Sequence, residues 1–350
     1  MKNIFGMTLE AMQEDFAALR LEKYRARQVA EWLYKKCAKR FSDMTNLPKS
    51  LRTELETRYT IDTPLLRTRL DAADGRTSKF LLAFSDGAAV EAVLMRQPYG
   101  NSICISTQAG CNMGCSFCAS TLHGLARDLT AGEMLAEVLF IEEMLRLQGG
   151  KVDTMVLMGS GEPLMNYENV VDFLRLLHEE YVLNISYRSI TLSTSGIVPA
   201  IDRLAEEGMP LTLSISLHAP REELRSELMP INRKYPLSDV VAAGKRYAEK
   251  TGRRVTYEYI LIRDVNDGER EARELAELLG GQLASVNLIP INPVKERGFE
   301  RPSEERTAAF CRALTRRHIT ATVRREMGAD IQAACGQLRN RHMSESEEKQ

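Results

Sequence analysis

The spacing of hydrophobic positions changes twice along this 350-residue chain. Over residues 1–62 the apolar side chains recur at helical intervals. Val29, Trp32, Leu33 and Cys37 make one apolar stripe, which predicts a helix with Cys37 as a buried core thiol. Over residues 63–100 the pattern is strand-like. Leu66–Leu70, Lys79–Phe84 and Ala89–Met95 read as strands, with turns at Asp74-Gly75 and Asp86-Gly87, so a small β-meander is expected. From about residue 102 strand and helix patterns alternate. The strands fall at 103–107, 153–158, 188–193, 211–217, 255–262 and 285–290, and the helices near 131–147, 167–180, 198–207, 237–250, 268–279 and 303–317. Thr130-Ala131-Gly132-Glu133 opens the first of these helices as a capping box.

Such alternation predicts an α/β fold whose parallel sheet has right-handed crossovers. Six βα units are too few to close as an eight-stranded barrel, so an open, partial (β/α)6 barrel is expected over residues 101–340. The small N-terminal helical domain (1–62) and the meander (63–100) precede it, and the polar tail 341–350 is expected to be disordered. Functional groups in such sheets gather at the C-terminal ends of the strands.

Composition adds limits. Hydrophobic residues make up 44% and charged residues 27%, ordinary values for a soluble globular chain. No apolar run reaches the ~18–20 residues of a membrane span, and the N-terminus lacks a signal-peptide core. Seven cysteines, three of them clustered, do not resemble a secreted disulfide framework, so a reducing cytoplasm is expected. A net charge of −1 gives no overall nucleic-acid signal. Residues 1–60 nevertheless hold 12 Lys/Arg against 8 Asp/Glu, richest from Lys23 to Arg40. Charge alone leaves a phosphate-gripping helix and a solvated helix face equally open.

The chemistry concentrates in Cys111-Asn112-Met113-Gly114-Cys115-Ser116-Phe117-Cys118, a C-x3-C-x2-C spacing. Three thiolates in one short segment favour an iron–sulfur cluster or zinc. Structural zinc takes four ligands, usually from two Cys pairs, and no second pair exists; His123 is the one nearby candidate for a fourth. Three thiolates fit three irons of a [4Fe–4S] cluster and leave the fourth iron open to a small molecule.

This segment resembles the cluster loop of the radical S-adenosylmethionine (SAM) superfamily. Further motifs occur in order: Gly159-Ser160-Gly161-Glu162-Pro163-Leu164, Ser193-Thr194-Ser195-Gly196, Ser216-Leu217-His218-Ala219-Pro220, Leu228-Met229-Pro230-Ile231-Asn232, Asn287 to Pro293, and Ala333 to Leu338. Together they resemble the RlmN/Cfr family of RNA adenine methyltransferases over nearly the whole chain. The resemblance implies a cluster on Cys111, Cys115 and Cys118. It also implies SAM contacts from Gly161, Glu162, Ser193, Ser216, Leu217, His218 and Asn292. Ser160 stands where the family usually has methionine. Without the family, His218 reads as a structural histidine and the serines as turn residues.

The resemblance further implies a two-SAM relay. Cys335 carries the methyl group as S-methylcysteine, Cys104 resolves the adduct through a transient disulfide with Cys335, and Glu91 accepts a proton. Read alone, Cys104 is a small buried hydrophobe and Glu91 an exposed strand residue. Cys311 reads as core packing. The implied targets are C2 of an adenine in 23S rRNA and of the adenine 3′ of the anticodon in tRNA. The Cfr-like alternative is C8 of the rRNA adenine. A flavodoxin-type electron donor, a monomeric state and no membrane complete the expectation.

Overall fold

The computed structural model describes residues 1–294 and 296–324, with Gly328, Ile331 and Leu338 beyond them. Ten strands form one sheet and lie across it in chain order. They are β1 (Leu65–Asp71), β2 (Thr77–Ala83), β3 (Ala89–Gln97), β4 (Gly100–Cys104), β5 (Thr154–Leu157), β6 (Ile190–Thr194), β7 (Thr212–Ser216), β8 (Val255–Leu261), β9 (Ala284–Pro290) and β10 (Ala321–Val323). Pairs from β1 to β4 are antiparallel. Every pair from β4 to β10 is parallel. The fold is the expected α/β partial barrel, with two additions. The meander is continuous with the barrel sheet through the β3–β4 pairing, and β10 is a seventh parallel strand that the sequence reading missed. At three residues, β10 is too short to show a period.

The first barrel strand is Gly100–Cys104, three residues ahead of the expected 103–107. Pairing with β5 continues past its end, since Ile105 N donates to Val156 O at 3.1 Å. The remaining strands and the helices that connect them lie within a few residues of their expected positions.

Those helices, α4 (Ala131–Arg146), α5 (Tyr167–His178), α6 (Val198–Glu206), α8 (Leu237–Thr251), α9 (Glu269–Leu279) and α10 (Glu304–Thr315), cover one face of the sheet. A shorter helix, α7 (Glu222–Leu228), follows β7. The capping box at α4 forms: Thr130 N donates to Glu133 Oε2 at 2.8 Å, and Glu133 N donates to Thr130 Oγ1 at 3.2 Å. Period-two alternation sorts the strand side chains. Phe80, Leu82, Val90, Ala92, Ile103, Met155, Leu192, Leu213, Tyr257 and Leu288 point to the helices and form the core. Their neighbours Lys79, Glu91, Cys104, Ser193, Ser214, Ser216, Glu258 and Asn287 therefore face the concave inner side. An apolar outer face and a polar inner face leave the inside of the barrel available for chemistry.

The N-terminal helices, α1 (Leu9–Ala18), α2 (Lys23–Ala30, continued by a wider turn over Glu31–Lys35) and α3 (Lys49–Arg58), pack on the outside of α4 and α5. Leu9 N donates to Tyr181 Oη at 3.0 Å, and Arg146 Nη1 donates to Lys35 O at 2.6 Å. Val29, Leu33 and Cys37 are buried as expected, while Trp32 is only partly covered, under the Lys36 ammonium. Lys23, Arg27, Lys35, Lys36, Lys39 and Arg40 are exposed. Among the described residues no helix is long and apolar enough to cross a membrane.

Candidate active site

The three-cysteine segment forms a loop between two short antiparallel strands, Gln108–Gly110 and Leu125–Asp128, directly after β4. Cys111 N donates to Gly124 O at 3.1 Å, and Leu125 N donates to Asn112 Oδ1 at 2.9 Å, closing its neck. Gly114 takes φ 70°, a left-handed turn that an L side chain rarely adopts, and this folds Cys115 back toward Cys111. Cys111 and Cys115 are buried and Cys118 is half-buried. Burial pushes the Cys111 thiol up to about 12, and the fields of Cys118 and Glu162 push the same way. Cys115 is held well above the ordinary range by burial and by both neighbouring cysteines. Cluster ligands are thiolates, so a cluster on these sulfurs would bind with release of protons.

The donor set fits a [4Fe–4S] cluster. Three soft thiols are grouped closely enough to perturb one another, and Cys115 and Cys118 pack against a shell made by Leu228, Met229, Ile260, Ile262 and Ile291. Among the described residues no three His, Cys, Asp or Glu side chains converge on a single ion. A cluster needs no such convergence, because each sulfur takes its own iron. His123, the candidate fourth zinc ligand, is exposed.

The Leu228–Asn232 motif, which had no role in the sequence reading, braces this loop. Ser116 N donates to Leu228 O at 2.9 Å. Pro230 lies directly beside Gly114, 3.5 Å from where a Cβ there would stand.

The strand-end motifs lie beside the loop. After β5 the Gly159–Glu162 turn is stitched to the residues following β4. Thr107 N and Gln108 N both donate to Ser160 O, Gly110 N donates to Ser160 Oγ at 3.2 Å, and Glu162 N donates to Gln108 Oε1 at 2.7 Å. Ser160 is buried and used in these bonds, which gives the departure from methionine a structural role. Gly161 has φ 109°, and a Cβ there would stand 2.6 Å from Gln108 Cβ. The Glu162 carboxylate is fully buried and accepts from Leu164 N at 3.0 Å and Ser195 N at 2.6 Å. Burial raises its pKa, partly offset by these bonds. It thus ties the end of β5 to the end of β6.

Ser193 and Ser216 are half-buried on the inner side, and Leu217 is buried. His218 is buried with φ 62°, edge-on to Phe117 at 4.8 Å, and its Nδ1 accepts from Ile260 N at 3.0 Å. Asn292 is half-buried just past β9. Between these groups Glu258 is buried, accepting from Ser214 Oγ and Asn287 Nδ2, each at 2.8 Å.

The antiparallel side supplies the other wall. Glu91 is buried and paired with the fully buried Lys79 at 2.9 Å, so it is not the exposed strand residue that the pattern alone allowed. Lys79 and Cys104 both stand opposite Val93 in register, and Glu91 is two residues before Val93 on the same face. Leu338 packs against Leu81, Ala83 and Ala89 beside this pair. Cys335 lies outside the described residues, and with it the expected disulfide to Cys104. Cys311 is half-buried on α10 at the edge of the core. Lys79, Glu258 and Arg225 of α7 were not picked out from the sequence. Only the lone carboxylate in Tyr257-Glu258-Tyr259 gave a visible signal.

Comparison with known proteins agrees with this geometry. A profile for the radical SAM superfamily matches residues 105–276, which cover the cluster loop and strands β5 to β8, so the class is a radical SAM enzyme. A second profile, for the ribosomal RNA large subunit methyltransferase N-terminal domain, matches residues 2–61. A protein of Symbiobacterium thermophilum named "Probable dual-specificity RNA methyltransferase RlmN" is 55% identical, over 96% of this chain and 91% of the relative. A protein of the same name from Clostridium acetobutylicum is 49% identical over 93% of each chain. The crystal structure of a radical SAM methyltransferase from Sphaerobacter thermophilus superposes with a TM-score of 0.93 at 47% identity, covering 96% of this chain and 99% of that one. The chain belongs to the RlmN family of radical SAM RNA methyltransferases. Members of this family use a [4Fe–4S] cluster and SAM.

Proposed function

We propose that this protein methylates C2 of adenine in 23S rRNA and in tRNA, using two SAM molecules and an S-methylated Cys335. The observation that carries the reading is the inner wall opposite the strand-end motifs. Cys104 and the Lys79–Glu91 pair share one face there, and Leu338, three residues after Cys335, packs beside them. The relatives' name supports RNA as the substrate, and favours RlmN-type C2 chemistry over the Cfr-like C8 reaction.

Adenine C2 is a poor nucleophile, so a thiolate is the better first acceptor of a methyl cation equivalent. Cys335 attacks the SAM methyl carbon and releases S-adenosylhomocysteine. The cluster held by Cys111, Cys115 and Cys118 supplies, when bound, the single electron that cleaves a second SAM. Gly161, Glu162, Ser193, Ser216, Leu217, His218 and Asn292 hold that SAM. Cys335, once its S-methyl group has given a hydrogen atom to the 5′-deoxyadenosyl radical from the second SAM, leaving 5′-deoxyadenosine, bonds to C2 through the methylene carbon. Cys104 then attacks the Cys335 sulfur, and the carbon–sulfur bond breaks as the disulfide forms. Overall this sequence releases one proton, to Glu91, and one electron, for which the cluster left oxidised by SAM cleavage would be the acceptor.

The helical domain 1–62 binds the RNA fold, the segment 63–100 links it to the barrel, and the core 101–340 works on an exposed adenosine. The protein works in the cytoplasm as a monomer with a flavodoxin-type donor. Mass spectrometry of 23S rRNA and tRNA after anaerobic incubation with labelled SAM and a reductant tests the proposal. 2-Methyladenosine in both RNAs is the expected product. 8-Methyladenosine, or no methylated adenosine, refutes it.

A further inference from the structure

Arg225 on α7 is fully buried, yet no carboxylate among the described residues lies within ion-pair distance of it. All five of its N–H donors go to neutral acceptors. Nε donates to Leu217 O at 3.2 Å. Nη1 donates to Asn232 Oδ1 at 2.7 Å and Tyr235 O at 3.4 Å, and Nη2 to Ser195 O at 2.7 Å and Ser216 O at 3.2 Å. The guanidinium thus joins the turns after β6 and β7 to α7 and to the short helix Pro230–Arg233, the same unit that braces the cluster loop through Leu228. No donor remains for a ligand, so Arg225 does not grip SAM directly.

A buried cation without a counter-charge is costly. Two groups are placed to balance it, Glu222 as it stands and the Cys115 sulfur once a cluster is bound. Glu222 reaches it through Asn232, whose Nδ2 donates to Glu222 Oε2 at 2.8 Å. The other is the Cys115 sulfur in the apolar shell behind the loop. Burial lowers the Arg225 pKa to about 10, and so it stays charged at neutral pH.

We propose that Arg225 is a positioning residue with an electrostatic role: its charge is balanced by the thiolates of the loaded cluster and raises the cluster's reduction potential, while its hydrogen bonds fix the SAM-facing turns. Reduction adds negative charge to the cluster, which a nearby fixed cation favours. This inference rests on the cluster reading above.

Anaerobically reconstituted full-length wild type, Arg225→Met, Arg225→Lys and Glu222→Gln are compared by redox titration followed by electron paramagnetic resonance, with iron content and SAM binding measured on the same samples. Arg225→Met lowers the reduced-to-oxidised ratio at a fixed potential about tenfold, which is 59 mV for a one-electron couple. Arg225→Lys keeps the potential within a third of that shift but weakens SAM binding, because an ammonium cannot reproduce five planar donors. Glu222→Gln moves the potential upward, a sign that structural damage does not mimic. If Arg225→Met does not load a cluster, the Lys and Glu222→Gln proteins still decide. Equal potentials in wild type and Glu222→Gln, or a Lys variant that drops as far as Met, overturn the proposal. A wild type that takes up no four-iron cluster overturns the cluster reading instead.

Discussion

His218→Asn isolates a pH dependence built into the site. His218 Nδ1 accepts from Ile260 N, so the ring is neutral with its proton on Nε2. Burial, reinforced by the Arg225 charge, lowers its pKa to about 3. In the unfolded chain a histidine titrates near 6.5. A depressed folded pKa means that the unfolded state takes up the proton more readily. The stabilisation is complete above about pH 6.5 and is lost as the pH falls toward 3. Between about pH 7.5 and 5.5 the loss is about 1.4 kcal/mol, because the unfolded ring becomes mostly protonated while the folded ring stays neutral. Asparagine tolerates the left-handed backbone at this position and offers an acceptor for Ile260 N, but it does not titrate. Urea unfolding of both proteins, prepared identically, is measured at the two pH values. The advantage of wild type over the variant shrinks by about 1.4 kcal/mol at the lower pH. An advantage that stays constant refutes the neutral buried imidazole, and one that grows as the pH falls means that the folded ring is charged.

Other substitutions probe the two walls. Lys79→Met leaves the Glu91 carboxylate buried beside a neutral side chain and costs about 3–5 kcal/mol in chemical denaturation, much of it recovered in the Lys79→Met, Glu91→Leu double variant. No loss in the single variant removes the pair's importance. Gly161→Ala forces a Cβ against Gln108 at a positive φ, costs about 1–3 kcal/mol and weakens SAM binding by equilibrium dialysis; unchanged binding contradicts the role assigned to this turn. Cys335→Ala abolishes methyl loading of the protein, read by intact mass, without changing iron content. Cys104→Ala accumulates a covalent protein–RNA adduct on denaturing gels, and clean turnover in that variant excludes the resolving role.

The elements were legible because each carries its period locally. Helix α4 shows both its apolar pattern and its Thr130–Glu133 cap, and β8 and β9 show continuous strand-like runs. The cluster loop was legible because its three sulfurs come from eight consecutive residues. The Lys79–Glu91 pair was not, because one residue is on β2 and the other on β3, and Glu91 read alone as an exposed strand position. Arg225 was hidden for a stronger reason. In the sequence it sits between Leu224 and Ser226 on a helix with Glu222, Glu223 and Glu227, which reads as a solvated surface.

By itself, then, the sequence determined the α/β succession, the three-thiol loop and the family resemblance, since these depend on spacing along one stretch of chain. Tertiary structure alone decided which charges are buried and which strand ends share a wall. Burial and field are set by atoms brought together from distant segments: Glu162 by Ser195, Glu258 by Ser214 and Asn287, Arg225 by carbonyls from three separate turns. A residue's type is local, but its charge state and its partners belong to the fold.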